Sequence, residues 1–391
     1  MLGLEQNNKL GFYTVGDKVF YSKPQALMEA TLTGHHPHWN FNREVFSKEP
    51  WQQQPKISLR ELYRIRAQQL REKYDYIRLE CSGGADSTTT LYSFLLNGIH
   101  IDEIVFRYPK QGEHGLAPNA NNTKPENTLS EWEYAAKPLL NWVATNYPRV
   151  RITFHDYSEN MLKFDKDESW TDSAKDYLHP EHTFKHDPLG TSEHIKLAES
   201  GKRICVLYGI DKPKICIRDG RWYFYFIDLQ ANHANTNVGP YTNLTTEYFF
   251  WSPDLPELLR KQVHVIRNWF MNPMNRHLQF LVRWPNHSVA QRTTYESLAK
   301  PLIYPDYDAT TWQTSKPTNN FYAEMGYWFY KNFQETKFYQ AWQAGIDHMV
   351  NKIDPKYFNY ELGRPVGFVG FFDEFYDIGS SDFVNNDTAY Q

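Results

Sequence analysis

Three observations in the sequence predict an α/β fold built on a mostly parallel sheet. Residues 77–81 read as a strand, 87–97 as a helix and 101–108 as a second strand. A β-α-β run this short implies a right-handed crossover and parallel pairing. Further strand-like runs recur at 149–157 and 202–209, separated by helical or irregular stretches. Gly83-Gly84-Ala85-Asp86 punctuates the first strand-to-helix junction, where glycine allows a sharp turn.

The elements follow in order. In the N-terminal segment (1–50), Phe12-Tyr-Thr-Val and Lys18-Val-Phe-Tyr flank Gly16-Asp17, a two-residue hairpin signal. Pro24 then precedes a helix-favouring run. His35, His36 and His38 are metal-capable, but no carboxylate or cysteine stands beside them at ligand spacing, so a polar loop is expected.

In the middle segment (51–245), Ser58 opens a helix to about residue 73, with Leu59, Leu62, Ile65 and Leu70 near one face. The 77–81 strand alternates apolar residues with Arg78 and Glu80, which predicts a strand not covered on both faces. Gly98 stops the next helix, the polar stretch 110–128 reads as a loop, and Pro138 should kink or split a helix ending near Asn146. The charged run 158–190, with His179, His182 and His186, reads as a surface insertion or, on its histidines, as a metal cluster. Residues 214–218 and 222–227 flank Asp219-Gly220 as a second hairpin.

From about residue 246 the pattern turns helical, predicting a C-terminal helical domain (246–391). Leu259, Val263, Ile266 and Phe270 define an amphipathic helix over 255–270, and 319–353 suggests two aromatic-rich helices. The acidic tail from Pro365 reads as peripheral and partly extended.

Composition narrows the class of protein. The 391 residues include 12 Trp, 27 Tyr and 25 Phe, enough aromatic mass for a large core. A formal net charge of -4 supplies no global attraction to nucleic acid or anionic membrane. Three cysteines (Cys81, Cys205, Cys216), none in a CxxC pair, argue against a disulfide framework or a Cys-rich metal site. No signal-like leader or membrane-length apolar run is present, so a cytoplasmic protein with no membrane partner is expected.

The junction at 82–88 carries the clearest chemistry. A helix start presents unpaired N–H groups and a positive dipole end. Ser82, Ser87 and Thr88 add hydroxyls, and Asp86 adds a carboxylate able to hold Mg²⁺ beside phosphates. These features predict a nucleotide triphosphate site. The stretch Ser82-Gly83-Gly84-Ala85-Asp86-Ser87-Thr88 resembles the SGGxDS signature of the PP-loop ATP pyrophosphatases, or adenine nucleotide α-hydrolases. It is not a Walker motif, which needs a terminal Gly-Lys-Ser/Thr.

The resemblance covers about residues 70–230 and implies a five-stranded, largely parallel, Rossmann-like sheet. It implies that Ser82, Gly83, Gly84, Ser87 and Thr88 grip the pyrophosphate of ATP and that Asp86 holds Mg²⁺. Asp211 and Lys212 resemble the acidic and lysine groups that some members set against Mg²⁺ and pyrophosphate. They equally suit a strand-end turn with a surface ion pair. The implied activity is an AMP-forming ligase or synthetase. A substrate carbonyl or carboxylate is adenylated, pyrophosphate leaves, and a nucleophile, with nitrogen favoured, attacks. Asp86 and Lys212 are the catalytic candidates.

Departures from individual members bound the choice. The cysteines of sulfur-transfer relatives are missing, as is the Glu-Cys-Gly-Leu-His signature of phosphoadenosine-phosphosulfate reductases, which leaves a reductase-like enzyme as an alternative. A non-catalytic nucleotide sensor is another. No glutaminase domain precedes the motif, so ammonia would come from a partner. Residues 258–295 contain no Asp or Glu and include Arg276, Arg283 and Arg292 among interleaved Trp and Phe. That mix suits an anionic second substrate, a nucleotide or a nucleic acid. It equally suits a basic face docked on the acidic tail or a sheet edge.

Overall fold

The computed structural model describes residues 8–108, 131–156, 171, 174, 178, 192–231, 241–285, 289–311, 335, 337–361 and 363–381. The 110–128 stretch, His179, His182, His186 and most of their insertion, and residues 319–334 of the 319–353 stretch expected to form two helices lie outside the described residues.

The chain opens with the expected hairpin, β1 (Phe12–Val15) and β2 (Lys18–Phe20). β3 (His38–Asn40) pairs on the other edge of β1, so His38 lies in a strand rather than in the expected loop. Between them, the Lys23–Thr33 helix starts at Ser22, whose side chain accepts from the Gln25 amide, and stops at Gly34 in the left-handed conformation.

The central sheet follows. The Leu59–Lys73 helix is capped by Ser58, which accepts from the Glu61 amide. Then come β4 (Tyr76–Glu80), the Ala85–Leu95 helix and β5 (Glu103–Tyr108). A π-helical turn, Glu131–Ala136, runs into the Lys137–Asn146 helix, so the split falls where Pro138 predicts it. β6 (Arg151–Asp156), the Ser192–Glu199 helix and β7 (Ile204–Tyr208) come next. β8 (Lys214–Arg218) and β9 (Arg221–Ile227) form the second predicted hairpin. β10 (Leu244–Tyr248) completes a five-stranded, all-parallel sheet of order β10-β7-β4-β5-β6, consistent with a Rossmann-like arrangement.

β10 straddles the position where the sequence turns helical, and its pattern hid it. Its Glu247 is buried, held by Arg66 (3.2 Å), Lys73 (2.6 Å) and the Tyr74 hydroxyl. A buried carboxylate in a strand of this length erases the apolar run that would announce it.

One expectation about β4 is corrected. It is the middle strand, and Arg78 is buried. Register places Arg78 beside Glu103 and Glu80 beside Val105, so one face of the sheet carries a charged layer. Glu80 takes two bonds from Arg107 (2.8 and 3.1 Å) and one from Arg78 (2.8 Å). Arg78 also donates to His194 Nδ1 (3.0 Å), and His194 Nε2 meets Glu103 at 2.7 Å. Arginine cannot accept, so Nδ1 is the acceptor and Nε2 carries the proton given to Glu103. The alternation reflects this internally paired layer, not an uncovered face.

The C-terminal half contributes the Pro256–Met271, Val289–Ile303 and Lys337–Lys352 helices, then β11 (Phe358–Glu361), β12 (Arg364–Phe368) and β13 (Phe372–Ser380). The described part of the tail is therefore extended, as expected, but not peripheral. β13 pairs with β9, so residues on both sides of the expected 245/246 division share one sheet. Fully buried Asp228 binds Tyr13 (2.7 Å), Lys23 (2.7 Å) and the Phe371 amide (2.8 Å), joining both ends of the chain. Aromatic contacts line this closure: Trp51, Phe224 and Phe226 pack together with Tyr376 of β13. Among the described residues, no helix is long and apolar enough to cross a membrane.

The charged layer has a consequence for acid stability. Burial disfavours the Glu80 and Glu103 charges. Arg107 and Arg78 around Glu80, and His194 and Thr153 around Glu103, outweigh it and hold both pKa values at about 2. A depressed folded-state pKa gives stability that is present above the unfolded value near 4.5 and is lost as pH falls toward 2. Urea midpoints should fall across that window. Glu80→Gln should flatten the fall and cost about 3–5 kcal/mol at pH 7, because two buried arginines lose their partner.

Candidate functional site

The strand order creates the crevice. From β4 the chain moves to β5 and β6 on one side, then returns to place β7 on the other side of β4. Ligand crevices in open α/β sheets form at such a reversal, beyond the carboxyl ends of the strands. Two segments meet there: 81–88 after β4 and 209–213 after β7.

Glycines bring these segments close. Gly83 has φ +73°, and a Cβ there would stand 2.7 Å from the Ala136 nitrogen and 2.8 Å from the Ala135 carbonyl carbon. It therefore meets both a left-handed backbone and a tight approach to the π-helical turn. Gly84, in extended conformation, is the N-cap of the Ala85–Leu95 helix. At Gly209 a Cβ would come within 3.0 Å of Thr90 Oγ1 and the Asp86 carbonyl. The β7 end thus lies directly on the first turn of that helix.

The hydroxyls of the corner shape it. Ser87 Oγ donates to the Gly84 carbonyl (3.2 Å) and Thr88 Oγ1 to the Gly83 carbonyl (3.3 Å); both residues are buried. Ser82 is half-buried. The first-turn amides are the groups this geometry leaves for an anion.

Asp86, Asp211 and Lys212 come together. Lys212 Nζ donates to both Asp86 oxygens (2.8 Å each) and to Asp211 Oδ1 (3.0 Å). Lys214 bonds Asp211 Oδ2 (3.3 Å) and Glu296 (2.8 Å). The Tyr304 hydroxyl donates to Asp86 Oδ1. Burial works against the Lys212 charge, but Asp211, Asp86 and Glu296 hold its pKa well above the ordinary lysine value. Burial likewise opposes the Asp211 carboxylate, and Lys212 and Lys214 keep it well below the usual range. Burial and the Asp86 charge push Tyr304 well up, so its hydroxyl stays a donor.

Sequence reasoning missed Lys214, Glu296 and Tyr304. Nothing local marks Tyr304 among 27 tyrosines. Tertiary contacts put it there: Tyr63 donates to the Ile303 carbonyl (2.6 Å), Gln262 donates to Tyr63 (2.8 Å), and Tyr295 donates to the Pro213 carbonyl.

The donor set fits Mg²⁺ loosely. Asp86 and Asp211 offer hard carboxylate oxygens, and Mg²⁺ commonly takes one or two carboxylates, waters and substrate phosphates. Among the described residues, no group of three His, Cys, Asp or Glu forms a ready-made metal cage, and His35, His36 and His38 form none. All three cysteines are buried, and burial raises Cys205 well above the usual thiol value and Cys216 to about 12.

The basic segment divides. Arg260 donates to the Gln53 carbonyl (2.8 Å), Lys261 to Pro55 (2.9 Å) and Arg267 to Ser380 (3.2 Å), so this part docks on neighbouring backbone. Arg276 and Arg283 occupy exposed positions on and after the Arg276–Val282 turn, and Arg283 bridges Ile217 beside β8. Arg292 is half-buried, one turn before Glu296. Compared with known proteins, the chain matches no protein-family model and no curated sequence.

The close approach at Gly83 predicts a graded cost. Gly98 also has positive φ, with nothing within 4 Å of its Cβ position. Gly98→Ala should therefore cost only the backbone strain, about 1–3 kcal/mol. Gly83→Ala should cost measurably more in urea unfolding, the excess reporting the contact with 135–136.

Proposed function

We propose that the chain is a PP-loop ATP pyrophosphatase, an Mg²⁺–ATP-dependent ligase or synthetase that forms AMP and pyrophosphate. One observation carries the reading. Asp86 and Lys212, separated by 126 positions, meet with Asp211 beside a glycine turn and a helix N-terminus. That is a phosphate-binding corner with its own cation and carboxylates, at the reversal point of a parallel sheet.

The proposed chemistry assigns each group a task. The first-turn amides receive the β- and γ-phosphates, with Ser82 at the loop and Ser87 and Thr88 holding its shape. Lys212 neutralises charge that grows on the departing pyrophosphate. Asp86 and Asp211 would hold Mg²⁺, which shields the phosphates when bound. A substrate oxygen forms a bond to the α-phosphorus while the bond from that phosphorus to the α–β bridging oxygen breaks. Pyrophosphate leaves with that electron pair, and a nitrogen nucleophile then displaces AMP from the activated carbon. Such catalysis is mostly positioning and charge neutralisation. The buried cysteines favour this over reductase-like sulfur chemistry.

Incubation with Mg²⁺–ATP and a co-substrate screen should release AMP and pyrophosphate in equal amounts. Asp86→Ala should lower that turnover by about 10²–10³-fold or more with an unchanged circular dichroism spectrum. Release of ADP and phosphate, or an active Asp86→Ala enzyme, rejects the assignment. The anionic second substrate is assigned to Arg276, Arg283 and Arg292. Replacing all three with Ala should raise its KM while leaving ATP binding intact; unchanged substrate affinity and turnover would dismiss that role.

A further inference from the structure

Lys212 stands where a metal ion on this carboxylate pair would have to stand. Its ammonium spans both oxygens of Asp86 and one of Asp211, and only 6% of its side chain is exposed. Tyr304 adds a second donor to Asp86. An Mg²⁺ ion needs its oxygen ligands at about 2.0–2.1 Å. It cannot take that position while a buried ammonium contacts the same oxygens, because the two cations would share one site in a medium that screens poorly.

The rest of the cluster shows how Lys212 is released. Asp211 keeps a second partner, Lys214, on its other oxygen, and Lys214 is itself held by Glu296. Departure of Lys212 therefore leaves Asp211 paired, and it frees Asp86 with Tyr304 still orienting the carboxylate. A free divalent ion offers the displaced ammonium no anionic partner. A polyphosphate arriving at the adjacent helix N-terminus does.

We infer that Lys212 is an internal counter-cation that denies Asp86 and Asp211 to a free divalent ion, so that the ion enters only together with a polyphosphate. This inference rests on the proposed nucleotide site, deepens it with an obligatory order of loading, and makes Lys212 a switch between two partners.

The test uses Mn²⁺ as a paramagnetic probe of the full chain, with no nucleotide present. Wild type should show only millimolar or weaker binding. Lys212→Met should bind Mn²⁺ more tightly by about tenfold or more, the usual range for coupled sites. Lys212→Met/Asp86→Asn should return to the wild-type level. Equal Mn²⁺ affinity in wild type and Lys212→Met overturns the inference.

If Lys212→Met does not melt cooperatively, wild type and Asp86→Asn decide the matter without nucleotide. Identical Mn²⁺ titrations support the inference, and loss of a wild-type site in Asp86→Asn overturns it. A separate titration of wild type with α,β-methylene-ATP tests the underlying nucleotide reading. Failure to bind the analogue rejects that reading, whereas the metal-only comparison still reports on Lys212. With the analogue bound, wild type should take up Mn²⁺ that it refuses alone.

Discussion

Asp86 and Lys212 face each other across the gap between β4 and β7, and the crevice is organised by that ion pair. A buried ammonium is costly alone, so Lys212 requires the half-buried Asp86 carboxylate, with Asp211, in place. Satisfying that requirement draws the β7 exit onto the first turn of the helix after β4, which in turn demands glycine at 209. It also recruits the middle of the Val289–Ile303 helix and the residue that follows it, because Glu296 and Tyr304 complete the charge and hydrogen-bond balance.

A second buried charge system works on a different principle. On the sheet face below the crevice, Arg78, Glu80, Glu103, Arg107 and His194 neutralise one another with little access to water. Any change of register would leave a buried charge in this layer unpaired. Glu80 is only two residues from Ser82, so the layer ends on β4 just before the turn begins. Gly83, Gly84 and Gly209 bring the turn, the 135–136 backbone and the β7 exit onto the start of the Ala85–Leu95 helix.

The strands and helices with local signatures were legible in the sequence. Both hairpins carried turn residues at the right offset, and Ser58, Pro138 and Gly98 punctuate helices where their backbone chemistry requires. The candidate corner was legible for the same reason, because its glycines and hydroxyls are contiguous. Strand β10 and the C-terminal strand β13 were not. In each, charged side chains that look solvent-facing in sequence are paired across the fold, Glu247 with Arg66 and Lys73, Asp373 with Arg43 and Asp377 with Arg221.

By itself the sequence determined the α/β class, the turn at 82–88 and the presence of an Asp-Lys pair after a later strand. Those features depend on neighbouring residues, and local backbone preferences decide them. Only the tertiary structure decided that this pair meets Asp86, that Lys214, Glu296 and Tyr304 surround it, and that Arg260, Lys261 and Arg267 are docking groups. Each of those outcomes depends on which distant partner neutralises a buried charge. Sequence spacing contains no record of that choice; the packing of the sheet and its helices makes it.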